Sequence, residues 1–183
     1  DWEDALIADA APPGIGARRW RRIRQVIGSS YQRLQANDHQ YFARKLQPRD
    51  HWRTYMDFRR RIAYLDIETS GLNVWNDVTV IGLYDGVRTH TYVMGDNLDR
   101  FPEDIADYAL LVTFNGAMFD LPFLQRRFGD IFDQLHIDLR FALRRLGYRG
   151  GLKTIEKRIG IGRAEDVADI RGGALLLPFP FQD

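Results

Sequence analysis

The chain has 183 residues, 45% hydrophobic and 28% charged, which suits one globular α/β domain with a small appendage and excludes a disordered or collagen-like chain. It has no cysteine, which excludes disulfides and thiolate metal sites and fits a cytoplasmic protein, and its longest apolar runs fall short of a membrane span. The net charge of +1 conceals a division, with 13 Lys+Arg against 7 Asp+Glu in residues 1–61 and 13 against 18 in residues 62–183.

The chain begins at Asp1 rather than Met, with no recognisable signal peptide, so a leader upstream stays open. Residues 1–60 read as a basic helical arm. Two short helices flank A-P-P-G-I-G, with Gly28 expected to close the second. A Pro-Gly-Ile-Gly turn that opens a basic helix resembles the helix-hairpin-helix motif, here over residues 4–27. Loop amides at Gly14 and Gly16, with Arg18, Arg19 and Arg22 behind them, would then grip a nucleic-acid phosphate. The alternative is a plain helical hairpin with a solvated arginine face. Further helix is expected to a break at Gln47-Pro48, after which Asp50 caps a helix running through Phe58. Trp52, Tyr55, Met56 and Phe58 are expected to pack this arm against the larger domain.

From Arg61 the periodicity changes to strands. Ile62 to Ile67 has the composition of a buried strand, yet Asp66 and Glu68 stand at its end, and residues two apart on a strand share a face. Two adjacent carboxylates repel unless a cation lies between them, and an all-oxygen set suits Mg²⁺ or Mn²⁺ rather than Zn²⁺. Thr69, Ser70, Gly71 and Leu72 form a tight exit where backbone can approach a substrate. The strands Val78 to Tyr84 and Thr89 to Met94 follow, joined through Asp85-Gly86. A helix near Pro102 leads into the strand of Y-A-L-L-V-T-F-N-G-A-M-F-D-L-P-F-L, then Asp120 at a helix start where an acidic N-cap would stand. Asn115 reads equally as a substrate contact or a turn former, with Phe119 a further substrate contact. A short strand at His136-Ile137, a helix to Leu146 and a helix from Leu152 to Ile159 complete a five-stranded mixed sheet flanked by helices. Its sites should lie beyond the carboxyl ends of the parallel strands. A structural hydrogen bond is the favoured role for His136 over general base, helix capping for Asp138, and a solvated face over a phosphate contact for Lys153 and Arg158.

The D-x-E strand followed about fifty residues later by N-G-x-x-F-D resembles motifs I and II of the DEDD (DnaQ-like) exonucleases, through Asp66, Glu68 and Asp120. The wording L-D-I-E-T-S-G-L, V-T-F-N-G-A-M-F-D-L-P-F-L, H-I-D-L-R and G-L-K-T-I-E-K-R-I-G-I is similar to the YprB-type ribonuclease H-like domain. That resemblance implies a ribonuclease H-like α/β fold over residues 61–183. It also implies a 3′–5′ exonuclease that hydrolyses nucleic acid, DNA or RNA, at a single-stranded 3′ end with two Mg²⁺ or Mn²⁺ ions on Asp66, Glu68 and Asp120. The family needs a fourth acid from a late Y-N-x-x-D stretch, with a Tyr or His that activates water, and this chain has no such stretch. Glu165, Asp166 and Asp169 follow the last helix, then an apolar run from Leu175 to Phe181. The expectation is a catalytic domain truncated before its last helices and nearly inactive in this form; the alternative is a binding module with an exonuclease-like fold.

Overall fold

The structure, a computed structural model, describes residues 2–8, 10–71, 73 and 75–162. Leu72, Glu165, Asp166, Asp169 and the apolar run from Leu175 to Phe181 therefore lie outside the described residues.

Five strands form one sheet in the order β3-β2-β1-β4-β5: β1 (Ile62–Thr69), β2 (Val78–Tyr84), β3 (Thr89–Val93), β4 (Leu110–Thr113) and β5 (Leu135–Asp138). β1, β2 and β3 form an antiparallel meander, and β4 and β5 run parallel to β1, which is the mixed sheet expected. The Asp85-Gly86 turn closes the β2–β3 hairpin because the Asp85 carboxylate accepts the Val87 and Arg88 N–H groups, while Gly86 takes φ +95°.

Alternation along β1 sends Ala63, Leu65 and Ile67 into one core with Ile81, Leu83, Phe101, Ile105 and Leu124. Each of these Leu, Ile and Phe side chains, fully buried, contributes about 1.5–3 kcal/mol. Helices α5 (Phe101–Ile105) and α6 (Asp120–Phe128) cover this face. Ile62 points the other way, into a second core with Leu110, Val112 and Leu135, which Phe42 and Phe58 of the arm complete.

The arm comprises α1 (Trp2–Ile7), α2 (Ala17–Gln35), α3 (His39–Lys45) and the single turn α4 (Tyr55–Phe58). Gly28 does not close α2, which runs on to Gln35. A Cβ at Gly28 would lie 3.5 Å from the Leu6 side chain, so the glycine is the place where α1 approaches α2 rather than a stop. Past the end of α2 the chain turns at Asn37, which adopts φ +53°, and Asp38 caps α3 by accepting the Tyr41 N–H at 3.0 Å.

The expected helix from Asp50 to Phe58 is instead a 3-10 segment (Pro48–Thr54) followed by α4, and Asp50 pairs with Arg53 rather than capping. Three residues per turn set His51 and Thr54 inward but Trp52 and Tyr55 outward. Of the four aromatic and Met residues expected to pack inward, only Phe58 is buried; Trp52, Tyr55 and Met56 are exposed.

Two helices, α7 (Leu139–Arg145) and α8 (Leu152–Ile159), end the described chain. Among the described residues no helix is long and apolar enough to cross a membrane.

Candidate active site

β1 overruns its neighbour. The pairing of β1 with β4 stops at Tyr64 and Val112, so Asp66 to Glu68 continue past the end of β4 into a corner that the turn after β4 must close. At the same end the β1–β2 register slips between Glu68 and Thr69, which face Val80 and Val78 and leave Thr79 as an extra residue. Such a bulge bends the strand and re-aims its last side chains.

The turn is held by side chains distant in sequence. Asn115 sits in the left-handed region at φ +69°. The Asp138 carboxylate accepts N–H bonds from Asn115 at 2.8 Å, from Ala117 at 3.1 Å and from Arg140 at 3.0 Å. Capping of α7 by Asp138 was expected; its grip on the turn was not legible. Thr113 Oγ1 accepts the Gly116 N–H at 3.1 Å and shares a hydrogen bond with His136 Nε2 at 2.9 Å. A Cβ at Gly116 would fall 2.3 Å from Thr113 Oγ1, so only glycine fits there.

This turn delivers Asp120 to the corner as the first residue of α6, not as its cap. Phe119 holds the cap position without a side-chain bond, its ring packed 4.8 Å from that of Phe123. The Asp120 carboxylate instead lies near its own backbone N–H and that of Ile67 in β1, both of which favour the charged form. Asp120 is 3% exposed, and burial, with the charge of Asp66 next and that of Asp138 adding to it, pushes its pKa up to about 7. Asp66 and Asp120 are thus brought together. Glu68 follows on the same strand face, its pKa raised by burial. A pair of oxygen donors whose charges strain one another in a buried corner fits Mg²⁺ or Mn²⁺. Among the described residues, however, no three His, Asp or Glu side chains are gathered closely enough to hold an ion.

The other expected contacts divide. Thr69 Oγ1 donates to the Gly71 carbonyl at 2.7 Å and Ser70 Oγ accepts the Asp77 N–H at 3.1 Å, so both hydroxyls brace their own loop. A Cβ at Gly71 would meet the Asn76 amide at 2.3 Å, which keeps this loop's backbone tight. The Asn115 side chain accepts from Arg140 at the rim of the corner. His136 has its pKa lowered by burial, against the charge of Asp138, and its N–H donates to His51 Nδ1 at 3.0 Å. It is a structural link between sheet and arm, the role favoured from sequence.

In the arm, Gly14 has φ +83°, the Ile15 N–H donates to the Pro12 carbonyl, and the first bond of α2 runs from the Trp20 N–H to Gly16. Gly16 offers no side-chain cap and no acid follows in the first turn, so α2 presents its amino end to Arg18, Arg19 and Arg22, all exposed.

The sequence matches the RNase_H superfamily over residues 63–176, a span that runs from the second residue of β1 through α8 and holds all three acids. Among solved structures it is similar to the Nibbler EXO domain of Aedes aegypti, at 15% identity and a TM-score of 0.37, over 53% of this chain and 52% of that one. The aligned chain thus spans about half the length of that structure. No curated protein matches.

Proposed function

The chain belongs to the RNase_H superfamily, whose fold is that of nucleases, and from this premise we propose that it is a divalent-metal-dependent 3′–5′ exonuclease acting on single-stranded nucleic-acid ends. The observation that carries the proposal is the buried carboxyl of Asp120, driven up to about pKa 7 by burial and by Asp66. Placing two repelling acids in one corner costs the protein stability unless a cation joins them there.

Asp66 and Asp120 would hold the ion, and Glu68 would supply a third carboxylate from the same strand face. Bound there, Mg²⁺ or Mn²⁺ would activate water and stabilise the charge that develops on a phosphodiester. The chain's own residues fix the corner. Asp138, Thr113 and Gly116 hold the turn that sets Asp120 against β1, and the loop of Thr69, Ser70, Gly71 and Leu72 lines the terminal nucleotide. Asn115 and Phe119 flank it.

A second reading is favoured by the lack of a three-acid group among the described residues: a nucleic-acid-binding module that keeps the fold without the chemistry. An end-labelled single strand incubated with Mn²⁺ separates the two. Stepwise 3′ shortening that disappears in both Asp66→Asn and Asp120→Asn is the expected result. Binding without shortening leaves the module, and shortening that survives both changes overturns the site.

A further inference from the structure

The α7–α8 segment has a charge pattern opposite to that of the sheet before it. Residues 62–138 hold four basic and thirteen acidic side chains, whereas residues 139–162 hold seven basic ones and a single acid, Glu156. Glu156 is turned inward, at 6% exposed, while all seven cations are exposed. Three of them touch neutral groups: Arg140 donates to the Asn115 side chain, Arg145 to the Arg49 carbonyl, and Arg158 lies 5.3 Å over the Tyr148 ring.

Like charges four apart on a helix, as at Arg140 and Arg144 or Lys153 and Lys157, repel. A polyanion laid along these helices would relieve that repulsion. The strip also starts at the right place, because Arg140 touches Asn115 in the turn that delivers Asp120 to its corner. Phe141, 46% exposed among the arginines, offers a ring on which an unpaired base can stack.

We propose that α7 and α8 form a phosphodiester-binding surface, distinct from the α1–α2 hairpin, that carries the body of a single-stranded nucleic acid while its end occupies the Asp66–Asp120 corner. This rests on the nuclease reading above for the strand's destination, and on the segment's own charge for its binding.

The test uses the full chain with Arg144→Gln, Arg149→Gln, Lys153→Gln and Lys157→Gln combined, beside a charge-keeping partner with Arg144→Lys, Arg149→Lys, Lys153→Arg and Lys157→Arg. The probe is a fluorescein-labelled oligothymidylate of about 16 nucleotides, whose anisotropy is followed across a salt series. The Gln variant should bind more weakly, with its log–log salt slope reduced by about 0.7 per lost phosphate contact, or about 2.8 for four. The charge-keeping variant should match the wild type. Equal slopes in the Gln variant and the wild type overturn the surface. So does a Gln variant that loses only its binding to phosphatidylserine vesicles, since the partner is then a membrane. Wild-type cleavage of bis(p-nitrophenyl) phosphate with Mn²⁺ gauges the nuclease reading separately. Cleavage with an unchanged slope sinks the surface alone, and a reduced slope without cleavage sinks the nuclease alone.

Discussion

Asp120→Asn should make the metal-free protein more stable, and the gain should depend on pH in a fixed direction. Burial and Asp66 raise the Asp120 carboxyl from 3.8 to about 7, a difference of about 3 units at ~1.36 kcal/mol each. Because the folded value is raised, the folded state holds this proton more tightly than the unfolded chain does. The associated stability is therefore present below about pH 3.8 and is lost as pH rises through about 7. Asparagine keeps an oxygen for the Ile67 N–H and never ionises. The variant should match the wild type near pH 4 and exceed it by up to about 4 kcal/mol near pH 8, a large fraction of a typical 5–15 kcal/mol. Urea melts in EDTA at several pH values measure this directly. Added Mn²⁺ should stabilise the wild type and leave the variant nearly unmoved. A variant no more stable than the wild type near pH 8, or one stabilised equally by Mn²⁺, would refute the idea that Asp66 and Asp120 strain one another in a cation corner.

Gly116→Ala should cost about 1–3 kcal/mol, because its Cβ would sit 2.3 Å from Thr113 Oγ1; an unchanged melt would show that the turn yields freely. His51, whose pKa is lowered by burial, is neutral in the fold, so its contribution is present above about pH 6.5 and lost as pH falls through its lowered value. His51→Gln, which can still accept the His136 N–H, should flatten that acid-side loss, and melts from about pH 7 to 5 that coincide with the wild type's would contradict it. In the arm, Arg18→Gln, Arg19→Gln and Arg22→Gln together should lower the salt slope for single strands by about 2.1, and an unaltered slope would leave the α1–α2 hairpin a solvated face.

The sheet was largely legible because its signals are local. Val78 to Tyr84 alternates between turn residues and forms β2 with those bounds, and the period of two places Asp66 and Glu68 on one face of β1. Asp120, besides its reading as the third acid of the site, was set at the helix cap because spacing from Pro122 is all a sequence shows. Its real position depends on Asp138, which bonds to the turn from more than twenty residues away. Trp52 and Tyr55 were misplaced for another reason: an α-helical period was applied to a 3-10 segment, and one changed period reverses which side chains face in. Of the cations of α7 and α8 only Lys153 and Arg158 stood out in the sequence, as a solvated face, because a net charge taken over residues 62–183 averages the seven against an acidic sheet.

The second core joins the arm to the sheet more closely than a basic extension on a catalytic domain would suggest. Phe42 and Phe58 complete a layer with Ile62, Leu110, Val112 and Leu135, and His39 and Gln40 both bond Asp133 ahead of β5. Cutting the chain near residue 60 would open that layer to water, so a recombination event or a protease acting there would yield not a freestanding catalytic domain but a sheet with a sticky face. α3 is then inherited with the sheet, while α1 and the first half of α2, which lie outside that layer, are free to be exchanged. Amide exchange should draw the same line, with the α3 amides opening only when the sheet does and those of α1 opening earlier.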